Sequence, residues 1–158
     1  VKAGMSDKDE EFMGNADIVY GLAGVLVLYT GYLRVTEFGK GWDFYQHSPV
    51  FWVKMLLFSI MGSSSLFPTI KIIQRLVARR NGEEVPPMSE KLASRMTTIM
   101  NGELLAVGSI PLAATLMARG VGYSDALPWQ AGAAPVGLAV VGLGAKYVKE
   151  ALDWTEDE

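Results

Sequence analysis

Apolar residues in this chain come in long uninterrupted runs, and the polar ones gather between them. The first run is Ile18 to Leu33, bracketed by Asp17 and Arg34. The second starts near Val50 and reaches about Ile73, with Lys54 one turn in, a Ser63-Ser64-Ser65 cluster and Pro68. The third, Met96 to Ala118, holds Asn101, Glu103 and Pro111. The fourth, Ala131 to Val148, is rich in glycine and alanine. A helix rises about 1.5 Å per residue and the hydrocarbon core of a bilayer is about 30 Å thick, so each run is close to one crossing. The pattern predicts helices near 17–34, 50–74, 96–118 and 131–149, with Asn15 or Asp17 capping the first. A soluble bundle would show a polar face at helical spacing, and Val25 to Tyr29 and Val50 to Met61 show almost none. No stretch alternates like a barrel strand, and no internal repeat is evident.

The expectation is an all-α integral membrane bundle of about four transmembrane helices. An acidic segment (1–15) precedes the four-helix domain (16–150), and an acidic tail (151–158) follows it. Residues 35–49, 74–94 and 119–130 read as connections. Of the 14 Lys and Arg, ten fall on the side of the termini and four on the other. The bias toward positive charge inside places both termini on the cytoplasmic, stromal or matrix face. Aromatic residues collect at the opposite face, Trp42, Tyr45, Trp52 and Trp129 among them, at the depth where amphipathic rings settle.

Composition narrows the chemistry. There is no cysteine, so disulfides and thiolate sites are excluded. A net charge of −3, without a basic stripe, argues against nucleic acid. Glu103 stands out, because a carboxylate two turns inside a span costs roughly 2.5–3.5 kcal/mol to insert. With neighbouring Asn101 it fits a proton relay or ligand site, or a structural pair with Arg95. Lys54 and Arg34 could hold an anionic lipid or a carboxylate, or snorkel to the interface. His47, the single histidine, is a candidate axial ligand to a haem or pigment, or a plain loop residue. Small residues four apart, Gly102 with Ala106 and Ala133 with Gly137, allow close helix approach, within this chain or with another.

Four stretches carry a resemblance: ADIVYGLAGVLVLYTGYLRV (16–35), KGWDFYQHSPVFWVKMLLF (40–58), SSSLFPTIKI (63–72) and ELLAVGSIPLAATLMARGVGY (103–123). Over about residues 16–123 the chain resembles the membrane proteins grouped as family 2214 of domains of unknown function, found in bacteria, cyanobacteria and plastid-bearing eukaryotes. The resemblance implies a small helical bundle with no established activity. It also implies a distant likeness to copper-resistance membrane proteins and to haem-using membrane protoporphyrinogen oxidases. In that family a further helix is expected before the stretch matching 16–35, where this chain has its acidic segment.

Three functions follow as expectations. The first is a non-catalytic subunit packed against other integral membrane subunits and lipids. The plastid likeness would make its host a photosynthetic complex of the chloroplast thylakoid, with chlorophyll, carotenoid or lipid at the helix interfaces. The second is a haem- or porphyrin-linked membrane oxidoreductase. The third is a small transporter using Glu103 and Lys54.

Overall fold

A computed structural model describes residues 1–155, and the last three residues of the expected acidic tail lie outside the described part. The described residues form helices and no strand. In order they are α1 (Asp7–Leu33, continued by a π turn, Arg34–Phe38), α2 (Trp42–Gln46), α3 (Pro49–Arg80), α4 (Glu90–Ala118), α5 (Trp129–Leu138, leading into a π turn, Ala139–Leu143) and α6 (Gly144–Leu152). Four stretches are long and apolar enough to cross a membrane: Asp7–Phe38, Pro49–Arg80, Glu90–Ala118 and Trp129–Leu152.

Every expected span is present, and the first three extend well beyond the expected bounds at the charged end. The segment 1–15 is not a separate unit, because α1 begins at Asp7. Its cap is Ser6, whose hydroxyl accepts from the Asp9 amide at 3.3 Å, and not Asn15 or Asp17. Asp7, Asp9 and Glu10 complement the positive end of the helix dipole in that first turn. Ser48 and Ser89 cap α3 and α4 in the same way, with Pro49 preset for the first turn of α3. The charged connection shrinks accordingly to residues 81–89.

Extension is possible because ion pairs hold the charged turns together. Glu10 is 2% exposed and accepts from Arg75 through two bonds of 2.9 Å. Arg79 bridges Glu10 at 2.9 Å and Asp7 at 3.0 Å. Across the bundle Arg95 grips Glu150 at 2.7 and 3.0 Å. A helix that carries its charge past the hydrocarbon boundary satisfies its backbone internally and its side chains in pairs.

α3 is the hub, touching every other helix, whereas α1 makes its main tertiary contact with α3 alone. Two apolar clusters close the ends of the bundle. One joins Phe67, Ile72, Met88, Leu92, Met96 and Ala151 at the end holding both termini. The other joins Tyr45, Phe51 and Met117 at the aromatic end. That both described ends lie together is fixed by bonds from the Gly4 amide to the Met88 carbonyl (3.0 Å) and from Lys91 to the Thr155 carbonyl (3.4 Å).

Candidate functional site

Because α1 and α4 both dock on α3 but hardly on each other, a cleft of about 660 Å³ lies between them. Its α1 wall is Phe12, Met13, Ala16, Asp17 and Tyr20, and its α4 wall is Met100, Glu103, Leu104 and Val107. Both sets recur at three- and four-residue intervals, so each is one face of its helix. Asp9, one turn earlier on α1, also lines the cleft, as do Val1, Lys2 and Met5, so three carboxylates and one lysine stand in a lining that is otherwise mostly apolar.

Asp17 and Glu103 are each tied to α3 by a hydroxyl. Thr69 donates to Asp17, with its oxygen 3.1 Å from Oδ1 and 2.9 Å from Oδ2. Ser64 lies 3.4 Å from Glu103 Oε1 and 3.0 Å from the Met61 carbonyl, so one hydroxyl proton faces two acceptors. Pro68 sits between the two anchors in sequence, inside α3. Glu103 is 8% exposed. Its other oxygen, Oε2, has no hydrogen-bond partner among the described residues and, with Glu103 in the cleft wall, is available to the cavity.

Sequence reasoning placed Glu103 correctly inside a span but offered Arg95 as its partner; Arg95 is committed to Glu150. Asp17 was read as a helix cap, and it lies ten residues inside α1, bonded to Thr69. The signal for this was legible: Ser6-x-x-Asp9 is a capping pattern, and a helix started there puts Asp17 in register with Phe12, Met13 and Tyr20. Asn101 is exposed and does not line the cleft, so it is not a partner to Glu103.

The remaining candidates scatter. Lys54 is half-buried on α3 and feels the positive charge of Arg34, which is exposed in the π turn that ends α1. They share a region at the aromatic end and have no carboxylate partner among the described residues. His47 ends α2. Its Nδ1 lies 2.9 Å from the Leu127 carbonyl, an acceptor only, so Nδ1 carries the proton. The Ser124 amide bonds the His47 carbonyl at 3.3 Å, and together these contacts tie the 119–128 loop to the start of α3. Trp52 donates to the Gln46 carbonyl at 2.9 Å and lies so close to Gly132 that a Cβ there would overlap its ring. A haem held by paired helical histidines does not fit these residues: the single imidazole is in a junction and engaged as a loop tie. Among the described residues no three His, Cys, Asp or Glu side chains converge as a metal site would require.

Of the four small residues offered as packing positions, Gly102 and Gly137 are open. A Cβ at either would meet nothing within 4 Å, so this chain's own packing does not use them. Ala106 and Ala133 are half-buried.

Four apolar helices, with most of their charges gathered toward the ends, define an integral helical membrane protein. The chain belongs to the family described as "Predicted membrane protein (DUF2214)", whose model matches residues 1–122. The match takes in the acidic stretch before residue 16 as well. The fourth span lies beyond it. No curated protein matches this chain, and no solved structure matches it.

Proposed function

We propose that this protein is a non-catalytic integral membrane subunit that works by packing against other membrane subunits and lipids. The observation behind this reading is the incomplete enclosure of α1. The apolar centre of α1 has no buried residue, and Gly21, Gly24 and Gly31 along it meet nothing within 4 Å. Gly102 and Gly137 are open in the same sense. Lipid tails are as apolar as leucine, so exposed leucines alone call for no partner. Glycine is different: it costs about 1 kcal/mol per helix position relative to alanine and offers tails almost no contact. What it gains is close approach of a second backbone.

The host suggested by the family likeness is a photosynthetic assembly of the thylakoid, with chlorophyll, carotenoid or lipid in the gaps between helices. The ten-to-four excess of Lys and Arg is the support for reading both termini as stromal or cytoplasmic. Native gels after gentle solubilisation test the reading. The chain should migrate in a larger complex and lose it when Gly21 and Gly24 are both changed to Leu. Migration as an isolated monomer throughout, or a purified monomer that oxidises a porphyrin, overturns it.

A further inference from the structure

We propose that the cleft between α1 and α4 is a binding site for a small lipophilic amine, with its ammonium group between Asp17 and Glu103 and its apolar body along Phe12, Met13, Met100 and Leu104. The inference is independent of the subunit reading and rests on the cavity itself.

Three observations carry it. The cleft holds about 660 Å³, within the roughly 300–1,000 Å³ of ordinary small-molecule sites, and is lined as such sites are, by apolar side chains around a few polar ones. Asp17 and Glu103 lie within spans and neither has a cationic partner among the described residues; their bonds come from the neutral hydroxyls of Thr69 and Ser64. Buried charges in proteins are paired, and here the fixed partner is missing. Finally, Glu103 is more than nine-tenths buried while its Oε2 has no partner and the residue lines the cavity.

Charge complementarity chooses the occupant. Among the charged side chains of the lining, Asp9, Asp17 and Glu103 outnumber the single lysine, Lys2, which selects a positive head, and an ammonium has three donors to share between Asp17 and Glu103. A phospholipid amine would bring its own phosphate toward the two carboxylates, a like-charge contact that favours the simple amine. An inorganic cation would leave the apolar wall unused.

The test uses the full chain in an uncharged detergent, with its methionine methyls labelled for NMR. Met13 and Met100 line the cleft, while Met61 and Met117 are buried elsewhere and serve as controls. Octylammonium should shift the Met13 and Met100 signals saturably and leave the controls in place. Octanol, of equal length and no charge, should need about tenfold more for the same shift, as should octylammonium with the D17N/E103Q chain. Equal potency of alcohol and amine overturns the proposal, and so does an amine that moves all methionines alike or none. Saturation by a phosphatidylethanolamine but not by octylammonium also overturns it. The amine-against-alcohol comparison needs no variant, so a double variant that failed to fold would not shield the proposal.

Discussion

At single positions the structure shows how differently buried polar atoms are treated. Trp154 packs edge-on against Phe67, with ring centroids 5.2 Å apart, and lies under Lys91. Its indole nitrogen is buried and has no hydrogen-bond partner. Leaving a donor unsatisfied forfeits much of what burying the ring gains. Trp154→Phe should therefore leave the melting temperature in detergent nearly unchanged or raise it. Trp154→Ala should lower stability by about 3 kcal/mol through the cavity it opens, and thermal melts of the two variants separate these effects. Tyr123, outside the spans, shows the opposite treatment. It donates to Asp125 at 2.6 Å, and that bond raises the phenol above its ordinary ionisation range, with desolvation and the Asp125 charge adding to it. A raised value means that the bond's contribution is intact below the ordinary tyrosine range and is lost as pH climbs through the raised one. In an NMR titration Tyr123 should ionise above a free tyrosine, and Asp125→Asn should bring it back down.

Among the elements, α1 depends most on a few contacts. It reaches the bundle through α3, by packing of Gly14 against Leu76, by the Asp17–Thr69 bond and by the Glu10 ion pairs. Arg75 meets Glu10 with two bonds and is 11% exposed, whereas Arg79 is 21% exposed and splits its charge with exposed Asp7. Arg75→Ala should cost about 3 kcal/mol, the low end for breaking a buried pair, because Arg79 still reaches Glu10. Arg79→Ala should cost clearly less. A disulfide between cysteines placed at Gly14 and Leu76 gives a second readout, since loosening α1 slows its formation in the Arg75 variant.

For the whole molecule, an even number of spans and the bonds from Gly4 to Met88 and from Lys91, in the first turn of α4, to Thr155 put the two described ends on one face. Tags at residues 1 and 158 should be equally accessible to protease from one side of a sealed vesicle and protected from the other; opposite behaviour would refute four spans. This layout was largely legible in the sequence, because bilayer physics writes hydropathy in long blocks that one chain displays without help. The helix ends were less legible. Arg75, Arg79 and Arg95 look like residues that should stop a span, and only their partners Glu10 and Glu150, 65 and 55 residues away, let the helices run on. The cleft was half legible: Glu103 announced itself by sitting alone in an apolar run, while Asp17, at the edge of one, looked like a cap. What joins the two is the packing of α1 and α4 against α3, and pairings between helices leave no mark on hydropathy.

The long reach of those partnerships also bears on how the chain is made. Helix α1 is synthesised before α3, carrying Glu10 and Asp17, and the residues that satisfy them, Arg75, Arg79 and Thr69, are made only as α3 is completed. During that interval α1 must stay inserted on its own apolar length, which is sufficient by composition for a crossing. Helix α3 then acts as a template: its arrival neutralises the charges of α1, and α4, α5 and α6 follow onto a surface already assembled.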